Sequence, residues 1–274
     1  MIDALKFELV RMRTLRSTWW MIAIALFVEI AVAVLVGYFA RNEIADQGST
    51  DAQSIILGAL TGGSGYAPLP LMGIFAAIIG AFTFGHEYFR KTITSTLASV
   101  PRRSILVTAK TLVLVLTAVL LAVAGVVLGW AAMSIASGNA IKLTSDMTPV
   151  LVGFVIQVVL MALLSMALCL LTRSLPLTMA AIFVWPLIIE SVLSLLFFIP
   201  ALRDNNELLN YLPFAAGRRL TLIAEIDQQS AAAAAEGGSP MPDQLTRVQG
   251  GLVFFAWIAV IYVSGWILFR KRDA

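Results

Sequence analysis

Residues 112–127, LVLVLTAVLLAVAGVV, decide the fold class because the run is apolar on every side. A transmembrane β-strand alternates apolar and polar residues over about ten positions, and this run does not alternate. A helix that crosses the hydrocarbon layer of roughly 30 Å needs about 20 mostly apolar residues. The apolar character extends over about residues 105–133, so the run predicts a membrane-spanning α-helix.

Five further stretches have the same length and character. The chain is 59% hydrophobic and 13% charged, against roughly 45–50% and about 25% in soluble domains. We therefore predict an all-α integral membrane protein, with a single transmembrane domain over residues 1–274. Its six predicted spans cover about residues 19–40, 66–86, 105–133, 149–172, 176–199 and 251–269.

The cationic residues predict which connections lie in the cytoplasm. Most of the 19 Lys and Arg residues fall in residues 1–18, in residues 87–110, at Arg173 and at the carboxyl terminus. Cationic connections stay cytoplasmic, so both termini are predicted to be cytoplasmic and the protein to be multi-pass in the cell inner (plasma) membrane. The net charge of +3 then reflects topology and the anionic headgroups of the lipid bilayer, and no nucleic acid is expected as a partner.

The amino-terminal segment, residues 1–18, has the pattern of an amphipathic connecting helix at the membrane interface. Ile2, Leu5, Leu9 and Met12 share one face at helical spacing, and this stripe is predicted to lie in the headgroup boundary. The alternative is a spanning helix with a disordered basic start. The side chains predicted to meet lipid headgroups or to mark the inner interface are Lys6, Arg11, Arg13, Arg16, Trp19 and Trp20.

The connections on the other side of the membrane are predicted to be unequal. Residues 41–65 and 134–148 are polar, and the first is rich in Gly and Ser, so both are predicted to be loops. Residues 200–250 form a longer external loop. Within it, residues 208–226 have enough apolar side chains for short helices on or in the outer leaflet.

Two motifs that would mark an ATP-binding or a zinc site are absent from the sequence. It has no Gly-x-x-x-x-Gly-Lys-Ser/Thr loop to hold ATP phosphates and no His-Glu-x-x-His zinc motif. Its single histidine, His86, borders the cytoplasm, far in depth from any serine of the outer half. We therefore expect no catalytic residue, no metal site and no cofactor in this chain.

Two carboxylates lie within predicted spans, Glu29 in the first and Glu190 in the fifth. Each costs roughly 2.5–3.5 kcal/mol or more at the bilayer centre if it is charged and faces lipid, so both are predicted to face protein or water. Pro186, after Trp185, is predicted to kink the fifth span. These four residues are the candidate substrate path. For the two carboxylates, contact with a cation or an amine-bearing substrate, a proton relay, and a protonated or hydrogen-bonded packing contact between helices all remain open.

The connection between the second and third spans is short, polar and basic. Residues 87–99 can make about three helical turns, and Pro101 disfavours helix at Val100. We expect a short cytoplasmic helix lying across the membrane plane, with a solvated loop as the alternative.

Five short motifs mark this connection and its flanks: Gly85-His86-Glu87, Lys91-Thr92-Ile93, Leu97, Pro101-Arg102-Arg103 and Ala109-Lys110. Their pattern resembles the cytoplasmic connection of type-2 ATP-binding-cassette (ABC) export permeases. In that family a Glu closes the second span, and a short coupling helix docks on a nucleotide-binding subunit. The layout is similar too, with a connecting helix, six spans and a long external segment that contains Tyr211-Leu212-Pro213-Phe214. His86, and Lys91 where many members have Gly, depart from the pattern.

The resemblance implies a non-catalytic permease subunit of an ATP-driven exporter for a hydrophobic or amphipathic substrate, such as a drug, a peptide or a lipid-like molecule. A separate nucleotide-binding ATPase subunit would bind ATP and Mg, and a second permease chain, identical or a sister, would complete the transporter. The alternatives are an ion-coupled secondary transporter and a membrane scaffold or immunity protein without an ATPase. The resemblance assigns to the coupling segment, residues 87–103, the side chains Glu87, Tyr88, Phe89, Arg90, Lys91, Thr92, Thr94, Leu97, Pro101, Arg102 and Arg103.

Overall fold

The structure is a computed structural model, and it describes residues 2–46, 49–63, 69–93, 96, 103–196, 203–222 and 245–271. Throughout these ranges the regular structure is helical, without a β-strand. The prediction of an all-α membrane protein is therefore confirmed.

Six helices among the described residues are long and apolar enough to cross a membrane, as predicted. We call them the first to sixth spans, and they cover Arg16–Phe39, Leu71–Phe89, Arg103–Ser137, Ser145–Thr172, Leu175–Leu195 and Arg247–Lys271. The second span starts later than predicted because Pro70, in extended backbone, precedes its first helical residue. The fourth span opens with a short 3₁₀ turn, Ser145–Met147, before the α-helix Thr148–Thr172.

The second and fourth spans form the centre of the bundle. In their most apolar stretches 61% and 67% of the residues are buried, against 22% in the first, fifth and sixth spans, which leave most of their surface for lipid. Gly80 allows the close contact, because a Cβ added there would overlap the carbonyl oxygen of Ala162 in the fourth span. Small residues at helix contacts are the usual means of close packing in membranes.

The fifth span is interrupted at the predicted position. It consists of an α-helix, Leu175–Val184, a π-helical turn, Trp185–Ile189, and a second α-helix, Glu190–Leu196. Pro186 cannot donate a backbone hydrogen bond, and a π turn is one of the ways in which a helix absorbs such a defect.

Residues 41–65 contain two helices, so the prediction of a loop is wrong there. The helices are Arg41–Ala45 and Thr50–Leu60, and the side chain of Ser49 accepts a hydrogen bond from the amide of Ala52 at the start of the second. The buried residues Ile56, Leu57 and Leu60 pack this second helix against the bundle. Their helical spacing outweighs the Gly and Ser content that favoured a loop.

The described part of the long external segment contains short helices, as predicted for its apolar part. They are Arg203–Tyr211, Pro213–Arg218 and Arg219–Thr221, the first and last of them 3₁₀. A Cβ added to Gly153 of the fourth span would overlap the carbonyl oxygen of Leu220, so this segment lies directly on the bundle. The rest of the predicted loop, residues 200–202 and 223–244, lies outside the described residues.

Candidate functional site

The amino-terminal helix, Ile2–Thr14, packs against the protein with the face that carries Ala4, Glu8 and Arg11. It ends before Leu15, whose backbone is extended, and the first span begins at the next residue. Ala4 and Glu8 are buried against the bundle, whereas Leu9 and Val10 are 47% and 60% exposed. A helix therefore lies within the predicted segment, but Met12 of the predicted apolar stripe packs against the core, and the location of the helix at the membrane interface stays a prediction.

The prediction that Arg11 meets lipid phosphate is wrong, because its guanidinium points into the protein. Nε of Arg11 lies 2.8 Å from Oε2 of Glu8, and a second guanidinium nitrogen lies 3.1 Å from Oε1 of Glu87 at the end of the second span. Arg11 also donates to the carbonyl oxygen of Thr83 at 3.2 Å. The other predicted interface residues, Lys6, Arg13, Arg16, Trp19 and Trp20, are exposed, and their contact with lipid stays a prediction.

Lys110 of the third span completes a buried charged cluster, which we define as Glu8, Arg11, Glu87 and Lys110. Its ammonium group lies 2.6 Å from Oε1 of Glu87 and 3.0 Å from Oε1 of Glu8. It also donates to the carbonyl oxygen of Thr83 at 3.1 Å. The Lys110 side chain is fully buried, and the cluster pairs two carboxylates with two cations, so its formal charge is zero. It joins the amino-terminal helix to the second and third spans.

The residues after Glu87 turn outward. Phe89 is 75% exposed, and Arg90, Lys91 and Thr92 are exposed as well. We call these four residues the elbow. Lys91 has a φ of +55°, and the amide of Thr92 donates to the carbonyl oxygen of Glu87 at 2.9 Å. This left-handed turn closes the second span, and it is the position that glycine favours at helix ends.

The other predicted coupling residues divide into two groups. Arg103 donates to the carbonyl oxygen of Phe269 at 2.8 Å, and Tyr88 is partly buried with the guanidinium of Arg173 5.9 Å from its ring centre. These two residues are built into the fold. Thr94, Leu97, Pro101 and Arg102 lie outside the described residues, so the coupling helix stays a prediction.

The elbow, the charged cluster and the end of the sixth span lie at one end of the bundle. Arg11 reaches Glu87 there, and Arg103 reaches Phe269 of the sixth span. We call this the basic end.

The carboxylate of Glu190 accepts hydrogen bonds from backbone amides, in the part of the fold opposite the basic end. Its Oε1 accepts a hydrogen bond from the amide of Phe214, and its Oε2 accepts one from the amide of Ala215, each at 2.9 Å. These amides belong to the first turn of the helix Pro213–Arg218, where unpaired donors favour a carboxylate. At the end of that helix, burial lowers the pKa of Arg218, and the Glu190 carboxylate opposes this shift.

Glu29 is 1% exposed, and within the described chain neither of its carboxylate oxygens has a hydrogen-bond partner. It lies beside three glycines: a Cβ on Gly62 would be 3.3 Å from Oε2, and one on Gly125 or Gly129 would be 3.8 Å from Cγ. Glu29 thus packs against the third span and the turn after Leu60, whereas Glu190 contacts the external segment. Of the remaining candidates for the substrate path, Pro186 is buried and Trp185 packs at the edge of an apolar cluster.

A comparison with known families identifies the family of this chain. The family model described as ABC-2 family transporter protein matches residues 4–198. The chain belongs to the ABC-2 transporter family. No curated protein matches it. The ABC-2 match spans the amino-terminal helix, the elbow, Lys110 and both intramembrane carboxylates. It makes the chain a membrane component of an ABC transporter, a permease of a kind that is generally non-catalytic.

Sequence reasoning found the Glu87 and Lys110 motifs of this ABC-2 family protein but not the cluster that joins them. Glu8 was not singled out, although Glu8 and Arg11 have the i,i+3 spacing of a helical ion pair. The stronger signal was Lys110, which lies inside the third span and needs a partner at that depth.

Proposed function

We propose that this protein is the permease subunit of an ATP-driven ABC exporter, coupled through its elbow to a separate ATPase subunit. One observation carries the proposal: an exposed aromatic and cationic surface lies immediately beside a buried anchor. Phe89 is 75% exposed, yet Glu87, close to it in sequence, is 4% exposed and ion-paired to Lys110. An exposed side chain next to a residue that a buried ion pair holds in place is suited to transmit force.

The charged cluster supports a mechanism of transmission. Glu87 belongs to the second span, Lys110 to the third, and Glu8 to the amino-terminal helix. Because their charges pair with one another in a buried site, moving one without the others would leave a buried charge unpaired. ATP and Mg belong to the partner subunit, and closure of the ATPase dimer would push on the elbow. The cluster would then move the two spans and the helix as a unit, and the first, second and fifth spans would rearrange around a central cavity.

The remaining parts of the proposal concern orientation and partners. The basic end would be cytoplasmic, as its excess of cations favours, and the protein would lie in the cell inner membrane. A second permease chain would complete the translocation path. The substrate would be a hydrophobic or amphipathic molecule, such as a drug, a peptide or a lipid-like compound, exported unaltered.

The test is to purify the tagged protein from its native membranes and to measure Mg-dependent ATP hydrolysis in the purified complex. We expect wild-type protein to retain ATPase activity, and Phe89→Ala and Arg90→Glu to lose most of it. Lys271→Glu is the matched control, because Lys271 is an exposed cation at the basic end outside the elbow. Retention of full activity by both elbow variants would contradict the docking assignment. Purified wild-type protein without ATPase activity would favour a secondary transporter or a scaffold.

A further inference from the structure

Among the buried acids of the described residues, only Glu29 has a carboxylate without a hydrogen-bond or ion-pair partner. Glu8 and Glu87 are ion-paired, and Glu190 accepts two backbone hydrogen bonds. Glu29 is as buried as Glu8, yet both of its oxygens are without a hydrogen bond from any described residue. A buried carboxylate without a partner is costly, and this cost falls when a cation or a proton comes to it.

An apolar groove lies near this carboxylate, but Glu29 itself is 1% exposed and does not line it. Its volume is about 410 Å³, and Val32 and Val36 line it from the same face of the first span that carries Glu29. Gly62 links the two features, because it lines the groove and its Cβ position is 3.3 Å from Oε2 of Glu29. The remaining wall comes from the helix Thr50–Leu60 and the start of the second span: Ser54, Ile55, Gly58, Ala59, Gly63 and Leu71.

The helix Thr50–Leu60 adds a second negative feature. Its carboxyl-terminal end leads into Gly62 and Gly63, both of which have positive φ, so the chain turns sharply at the groove. The carboxyl-terminal end of a helix carries partial negative charge. A charged carboxylate and the negative end of a helix repel each other, so this arrangement favours a cation beside them or a proton on Glu29.

We propose that this groove binds an organic cation, with the charged group at the Gly62 wall next to Glu29 and the apolar body against Val32, Ile55 and Leu71. The groove volume lies within the range of about 300–1,000 Å³ that is common for small-molecule sites. The ligand class is an amphipathic amine or a quaternary onium ion. The inference rests on the proposed function only in taking this ligand to be a transported substrate.

An inorganic cation fits the groove less well. Calcium binds six to eight oxygen ligands and magnesium about six, usually including several carboxylates or waters. Within the described ranges no group of three or more acidic, histidine or cysteine side chains could hold a metal ion. Walls of Val, Ile, Leu and Ala suit the hydrocarbon part of an organic ligand instead.

The experiment uses two probes of the same shape and opposite charge, tetraphenylphosphonium and tetraphenylborate. The full-length permease is placed in lipid nanodiscs without an ATPase, and binding is measured by equilibrium dialysis against empty nanodiscs. We expect saturable binding of tetraphenylphosphonium above the lipid background, and none of tetraphenylborate. Glu29→Gln, which keeps the shape and removes the charge, is expected to weaken the phosphonium binding by about tenfold or more.

A second pair of variants tests the groove while leaving Glu29 in place. Val36→Trp fills the groove and is expected to abolish phosphonium binding. Val34→Trp is the matched control, because Val34 is 40% exposed on the outer face of the same helix, and its binding should equal that of wild type. Wild-type protein that binds neither probe, or both equally, overturns the proposal, as does unchanged phosphonium binding in Glu29→Gln or Val36→Trp. None of these results bears on ATPase retention through the elbow, so the two proposals fail separately.

Discussion

Replacing Lys110 by Met removes one positive charge from the charged cluster and keeps most of the side-chain volume. In the wild type its ammonium group lies 2.6 Å from Glu87 and 3.0 Å from Glu8, and the side chain has no exposed surface. Removal of one member of a buried ion pair costs about 3–5 kcal/mol, because the other member stays buried and unpaired. Arg11 remains within 3.1 Å of both carboxylates, so we expect the lower part of this range, about 3 kcal/mol.

The same reasoning predicts that loss of the Lys110 charge destabilises the fold more than loss of the Arg11 charge. The side chain of Arg11 is 16% exposed, so water can partly replace it, and we expect Arg11→Met to cost about 1–2 kcal/mol. The assay is reversible unfolding of the purified permease in mixed micelles, followed by tryptophan fluorescence. The double variant Glu87→Gln with Lys110→Met closes a double-mutant cycle. Its loss of stability should be smaller than the sum of the losses in the two single variants. Strict additivity, or a smaller loss for Lys110→Met than for Arg11→Met, would refute the cluster as described.

Three further predictions follow from single positions. Lys91→Gly should stabilise the fold by about 1 kcal/mol in the same assay, because it removes a left-handed strain, whereas Arg90→Gly, at a φ of −88°, should not. Gly80→Ala should destabilise it by about 1–3 kcal/mol, because the backbone of Ala162 blocks the new methyl group and no rotamer relieves the overlap; wild-type stability would count against the close contact. Glu190→Gln should cost about 1.5–3 kcal/mol and should speed hydrogen exchange at Phe214 and Ala215, with exposed Glu207→Gln as the unchanged control.

The six spans were predictable because a membrane-length apolar run has few other physical solutions. Their ends were less so. Pro70 delays the second span, and the third begins at Arg103, whose guanidinium reaches the carbonyl oxygen of Phe269. Such contacts join residues far apart in sequence, and no local pattern reveals them.

The charged cluster could not be predicted from the sequence, for a related reason. An amphipathic helix at a membrane can turn its polar face to water or to protein, and its periodicity is the same in both cases. Buried Glu8 and partly exposed Arg11 show that this part of the polar face of the amino-terminal helix turns toward the protein. The choice depends on Glu87 and Lys110, which come from two other elements. A sequence pattern identifies the polar face of the helix, but only the packed structure shows which residues that face contacts.

The four buried acids of the described residues show how the same residue type can serve two purposes in one fold. At Glu8, Glu87 and Glu190 the chain itself offsets the cost of burying a carboxylate, through cations or through backbone amides. These contacts also join one helix to another. At Glu29 the described chain supplies nothing, while three glycines keep space around the side chain. A fold that could satisfy three acids internally would have no structural need of a fourth that is left unpaired. Glu29 is therefore satisfied by a proton or by a cation from outside the chain, and the comparison of wild type with Glu29→Gln in tetraphenylphosphonium binding decides between the two.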